Sequence, residues 1–119
     1  MKNLKPLFIE NSKIPVWLSK IAPIDIGAIC LGPFVISRGA INDRLRIHET
    51  IHFQQYLETG FIGFLLIYAY DYLRCMIKYQ NGAIAYRHLR AEQECYGNEC
   101  DLSYLNRRKR WQWLFKYRI

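Results

Sequence analysis

All four prolines, Pro6, Pro15, Pro23 and Pro33, lie in the first third of the chain, and none follows. A proline removes a backbone donor and clashes with the preceding turn, so long helices are disfavoured early and unopposed later. "NSKIPVWLSKIA" has room for one short helix, with Ser12 as N-cap and Pro15 in the first turn. "IDIGAICLGPFVISRG" is β-rich and interrupted by Gly32-Pro33, which predicts two short strands, about 24–31 and 34–37, with a turn between. From Asn42 the pattern becomes helical. Asn42 or Asp43 can cap a helix to about Thr59, with Gly60 as its stop, and Leu45, Ile47, Ile51, Phe53, Tyr56 and Leu57 give it a broad apolar surface. A second helix runs from about 61 to 79 and ends at Asn81-Gly82, and a third starts near Ala83 and carries "AIAYRHLRAEQECYGNECDLSYL". Strands first and helices after predict an α+β fold: a small antiparallel sheet or hairpin packed on three main helices, as one domain of 119 residues.

Two segments bear on where such a chain works. "GFIGFLLIYAYDYLRCMI", 60–77, is strongly apolar, but its uninterrupted run stops at Tyr70, before Asp71 and Arg74. That run is about half of what a bilayer-spanning helix needs, so the pattern predicts a buried core helix, with a membrane-surface or re-entrant segment as the alternative. The net charge of +7 is concentrated at the end of the chain, where "RRKRWQWLFKYRI" (107–119) holds six basic residues and no acid. A basic aromatic tail can meet an anionic membrane surface or an acidic partner, or simply pack Trp111, Trp113 and Phe115 on the domain. No nucleic-acid-binding motif accompanies it, which argues against that partner. The cysteines Cys30, Cys75, Cys95 and Cys100 show no C-x-x-C spacing, and "MKNLKPLFIE" lacks the apolar core of a secretory leader. Both point to a reduced, cytoplasmic protein with free thiols, membrane-peripheral if the tail or the apolar helix engages lipid.

"HETIH" carries the chemistry. On a helix His48 and His52 lie at i and i+4 on one face, where two neutral imidazoles can reach one Zn²⁺. Glu49 is rotated away from that pair and suits a general base that takes a proton from a water on the metal. A third ligand is required. His88 is the only other histidine, while "HLRAEQECYGNE" offers Glu92, Glu94 and Glu99. Glu92 follows His52 by 40 residues, enough for one intervening helix and a return. It shares a helical face with Tyr96 and Glu99, whereas Glu94 points nearly opposite. Each acid alone could equally make an exposed pair with a neighbouring arginine.

"HETIHFQQ" followed by "AYRHLRAEQECYGNE" resembles a family of small metallopeptidase-like proteins of bacteria and phages. Their pattern runs H-E-x-I-H-x-x-Q-Q, then a tyrosine-rich helix, then A-Y-R-x-x-x-F-E-x-E-A-Y-x-N-E. The likeness covers about 45–110. The chain also looks like a minimal relative of gluzincins of the CAAX prenyl protease and HtpX types, whose third ligand lies in E-x-x-A-D. That resemblance implies a zincin-like fold, a Zn²⁺ cofactor and Glu92 as third ligand, with Ala91 and Cys95 where the small family has Phe and Ala. Tyr96 stands in place of the aspartate of the larger enzymes, so the group that orients a ligand histidine comes from elsewhere, and Glu99 or Asn98 can serve. Tyr96 or Tyr86 can then donate to an oxyanion. Gln54 and Gln55 either hydrogen-bond around the site or occupy the polar side of the helix. "FVISRG" can add an extended peptide at a sheet edge or merely complete the fold.

The expectation is therefore a zinc-dependent metallopeptidase acting on a peptide or protein, with metal ligands His48, His52 and Glu92, and catalytic groups Glu49 and Tyr96. Two other readings stand beside it. One is a zinc site without turnover, closed by Cys95 or His88 as a fourth ligand. The other is a membrane-peripheral interaction protein. Glu94 remains open as third ligand if the helix register slips.

Overall fold

The computed structural model describes residues 6–21, 28–31 and 33–118. Over these residues the fold is α+β, with strands β1 (Leu7–Ile9), β2 (Ala28–Leu31) and β3 (Phe34–Ser37) at the N-terminal end. The helices are α1 (Ile14–Ile21), α2 (Asp43–Thr59), α3 (Ile62–Tyr79), α4 (Gly82–His88), α5 (Arg90–Asn98), α6 (Tyr104–Arg107) and α7 (Trp113–Lys116).

The predicted hairpin is present as β2 antiparallel to β3, with Ile29 opposite Ile36. Its first strand is described only from Ala28; positions 24–27 and Gly32 lie outside the described residues. The pattern did not predict β1. It runs parallel to β3, giving a mixed sheet of order β1-β3-β2 instead of a purely antiparallel one. Three residues between Pro6 and Glu10 are too few to display alternation. Because β3 is central, both its edges are paired, and "FVISRG" has no edge to offer a peptide. The outer strand on that side is β2.

α2 forms where its end signals place it. Asn42 Oδ1 accepts from Leu45 N–H at 2.8 Å, and Gly60 closes the helix at φ 71°, a left-handed conformation that glycine adopts without steric cost. The chain then turns through Phe61, so that α2 and α3 meet at 111°. α2 is the central element, with eleven of its residues buried. Val35 and Cys30 from the sheet, Phe53 and Tyr56 from α2, Phe64 from α3 and Trp113 form the main apolar cluster against it.

Three expectations need correction. The long third helix is broken at Leu89, whose ψ of 138° separates α4 from α5. Leu89 is fully buried with Cys75 and Ala85, so α4 packs on α3 while α5 turns onto α2. The helix also ends at Asn98, and Tyr104 belongs to a separate short turn. Finally, α3 is not a buried core helix. Only Phe64, Asp71 and Cys75 are buried, and a row of large apolar side chains faces outward.

The C-terminal stretch is part of the domain. Trp113 is buried, and the Arg108 guanidinium is buried between Glu58 and Glu94. Glu58 also accepts from Trp113 Nε1 at 3.0 Å, and its carbonyl accepts from Trp111 Nε1 at 2.7 Å. Phe115 by contrast is exposed. Removing Arg108 would leave two buried carboxylates without their cation. Arg108→Ala is therefore expected to cost about 3–5 kcal/mol in urea unfolding, and exposed Lys109→Ala less than about 0.5 kcal/mol. Equal, small losses for both would show that this network does not hold the segment.

Candidate metal centre

Two side chains from α2, one from α5 and one from α3 converge. His48 and His52 occupy adjacent turns of α2 with ring centroids 5.1 Å apart, and both are buried. The turn of α5 onto α2 sets Glu92 opposite them. His48 Nε2 lies 3.3 Å from Glu92 Oε1, and His52 Nε2 lies 3.0 Å from Glu92 Oε2. Tyr68 of α3 donates to Glu92 Oε2 at 2.9 Å.

The other ring nitrogens determine what these contacts are. His48 Nδ1 lies 2.7 Å from Glu99 Oε2; a carboxylate only accepts, so Nδ1 carries the proton. The Gln55 amide nitrogen faces Glu94 Oε1 at 2.8 Å and the Ala91 carbonyl at 3.2 Å, which turns its oxygen toward His52 Nδ1 at 2.9 Å. His52 Nδ1 is thus protonated as well. In the neutral rings both Nε2 atoms then present lone pairs to a carboxylate that presents its own. Glu92 Oε1 accordingly has no donor, and neither has Glu49 Oε2; these are the buried side-chain polar atoms left unpartnered among the described residues. Buried acceptors aimed at one another call for a cation between them.

The electrostatics point the same way. Burial would push Glu92 up, but His52 and His48 outweigh it and hold the carboxyl far below the usual range. Burial pushes His48 down, yet contact with Glu92 leaves it above its ordinary value. For His52 burial is outweighed by Cys95 and Glu92, and the result is strongly upward. Burial raises Glu49, against the pull of both histidines. The site therefore draws positive charge to the two Nε2 atoms. Protons on the Nε2 atoms, or a metal ion beside them, can supply that charge.

The remaining acids and thiols sort themselves by partner. Glu99 supports His48, while Asn98 donates to the Glu94 carbonyl at 2.8 Å. Glu94 is engaged by Arg108, Gln55 and Tyr104, whose hydroxyl donates to it at 2.6 Å, and so it does not face the histidines. His88 Nδ1 donates to the Ile84 carbonyl at 2.8 Å, and the ring stacks on Tyr79, outside the cluster. Cys95 is fully buried, and its thiol donates to the His48 carbonyl at 3.4 Å. It forms with His48 and His52 a group whose ligand atoms lie within 4.8 Å of one another, so these three residues can hold a metal ion.

The cluster opens on a cavity of about 780 Å³, lined by Glu49, Tyr68, Tyr86 and Tyr96 as well as by β2. Tyr96 packs edge-on against His48 at 4.8 Å, with the Arg87 guanidinium 3.8 Å above its ring centre. The sequence pattern missed Tyr68, one of several tyrosines on α3, and left Gln55 undecided. What marked Gln55 was its place three residues beyond His52, within reach of the ring's second nitrogen. Comparison of the chain with protein-family models, curated proteins and solved structures gives no match.

Gln55→Leu removes the acceptor that orients His52, and metal affinity measured by chelator competition should fall roughly 10–100-fold. Gln54→Leu, which alters a bond from Arg108 instead, should leave it unchanged. Equal affinity for wild type and Gln55→Leu would remove Gln55 from the support of the site.

Proposed function

We propose that the chain is a zinc-dependent peptidase-like hydrolase in which His48, His52 and Glu92 hold the metal. One observation carries this reading: two imidazoles, each with its proton committed to Nδ1, point bare nitrogens at a buried carboxylate that has an oxygen without a donor. A zinc ion held by these groups supplies a Lewis acid, which polarises a carbonyl oxygen and makes nearby water more acidic.

The chain's own groups supply the rest. Glu49 lines the same cavity, and its Oε2 has no donor, so it can take a proton from attacking water and return it to a leaving amine. Burial raises its affinity for that proton. Tyr96, on the cavity wall beside His48, can donate to the oxygen that gains charge during attack. β2 is the outer strand of the sheet and lines the cavity, and among the described residues no other strand pairs with its far side. It offers backbone groups to an extended peptide, the part first expected of "FVISRG".

Cys95 supports a second reading. As a thiolate beside both histidines it would help close a structural site without turnover. Against this, its proton is committed to the His48 carbonyl and burial pushes the thiol strongly upward.

Metal content of tag-free protein separates these readings. Wild type should carry one zinc per chain and Glu92→Ala essentially none; no zinc in wild type after supplementation would end the proposal. Cobalt-substituted protein should lack a sulfur-to-metal charge-transfer band, and its presence would select the Cys95 site. With a quenched-fluorescent peptide library, Glu49→Gln should keep zinc and lose roughly 10²–10⁴-fold in hydrolysis. Zinc without cleavage by the wild type would select a binding protein.

A further inference from the structure

The outward face of α3 is the largest feature that the metal centre does not use. Ile62, Leu65, Leu66, Leu73 and Ile77 recur at helical spacing and are 71%, 53%, 67%, 61% and 71% exposed. Ala69 lies within the same stripe, and Tyr70 borders it at 57% exposure. No charged residue interrupts it. Scattered exposed leucines are ordinary, but a continuous stripe along four turns is a contact surface. At 1.5 Å per residue it extends about 22 Å.

We propose that this face rests on the surface of an anionic bilayer. Among the described residues no single helix is long and apolar enough to cross a membrane; the bent pair of α2 and α3 has the length and composition only together, and α2 is largely buried in the protein. Asp71, the only acid of α3, is buried on the opposite side in a two-bond pair with Arg90. The helix therefore has one face tied to the protein and one apolar face left outward, the arrangement of a helix lying in an interface.

Charge selects the occupant. Arg74 is exposed at the margin of the stripe beside Tyr70, and Lys78 is exposed one turn on, further round the helix. The Arg74 guanidinium lies 5.6 Å from the Tyr70 ring centre, and Lys78 Nζ lies 5.3 Å from that of Tyr79. Tyrosines with basic groups beside an apolar stripe match the depth profile of a membrane interface. A second copy of this chain would bring a molecule of the same +7 charge and the same basic margin against it, whereas anionic headgroups supply the opposite sign. The C-terminal stretch is a poorer anchor, since Arg108 and Trp113 are buried in the domain. Leu65 belongs both to the stripe and to the lining of the metal-site cavity, which the exposed Leu31 of β2 lines as well. The cavity thus opens at the edge of the lipid-facing surface. Only that last consequence rests on the hydrolase reading.

Sedimentation of the full chain with vesicles tests the proposal. Wild type should bind vesicles of one part phosphatidylglycerol to two parts phosphatidylcholine at least about tenfold better than pure phosphatidylcholine. Leu66→Asp/Leu73→Asp should lose at least about tenfold of that binding, with its circular-dichroism melting unchanged because both side chains are exposed. Ile62→Ser/Ile77→Ser serves as the second variant if the first melts early, with the same loss expected. Lys109→Glu/Arg110→Glu and the metal-ligand variant Glu92→Ala should bind as wild type, so a failed metal site leaves this test intact. Undiminished binding by folded variants of the α3 face would overturn the proposal. So would loss confined to Lys109→Glu/Arg110→Glu, or a wild-type dimer that ignores vesicles and is dissociated by Leu66→Asp/Leu73→Asp.

Discussion

The structure depends on burying a polar helix. α2 sends His48, Glu49, Thr50, His52, Gln54, Gln55 and Glu58 into the interior alongside its apolar residues. Each such group costs free energy unless a partner replaces water. Most partners are accounted for: Thr50 bonds back to the Arg46 carbonyl, Gln54 and Glu58 face Arg108, and Gln55 bridges His52 to Glu94. The exceptions sit together on the histidine side, at Glu49 and Glu92. α2 thus satisfies nearly all its buried groups, and the unpartnered oxygens, one from α2 and one from α5, meet at the histidine cluster.

That organisation reaches the far end of the chain. Arg108 ties Glu58 at the end of α2 to Glu94 on α5, and Glu94 in turn holds the Gln55 amide. The Gln55 oxygen then decides which nitrogen of His52 carries its proton. A residue more than fifty positions from His52 therefore influences a candidate ligand through two intermediate side chains. Cys95 contributes by being small: its thiol bonds to the His48 carbonyl, so α5 can approach α2 closely enough for Glu92 to reach both rings. The break at Leu89 is the other condition, since a straight continuation of α4 would follow α3 instead.

Local signals were legible in the sequence where short-range chemistry decides. Asn42 and Gly60 bound α2 because a side-chain cap and a left-handed residue act within a few positions. The i, i+4 histidines necessarily share a face once that helix forms. That Glu92 and Glu94 point to different sides was written in the helical register, and it is Glu92 that lies beside the histidines. The rest depended on tertiary contacts that no window of sequence contains. β1 exists because β3 offers it an edge. Leu89 breaks a helix of good formers because its side chain fills a pocket with Cys75 and Ala85. Gln55 and Tyr68 acquire their roles only when Glu94 and Glu92 arrive from α5.

The apolar run of α3 was misplaced for a related reason. A run of leucines and isoleucines predicts burial when the protein has an interior to receive it, but here the interior beside α3 holds Asp71, Tyr68 and the site network. The helix turns Phe64, Asp71 and Cys75 inward and Ile62, Leu65, Leu66, Leu73 and Ile77 outward. Among the described residues no second layer covers the outer face of α3. A water-exposed stripe of this size carries an unfavourable hydration free energy that a neighbouring apolar phase would relieve. The same construction leaves carboxylate oxygens without donors at its centre and aliphatic side chains exposed at its surface.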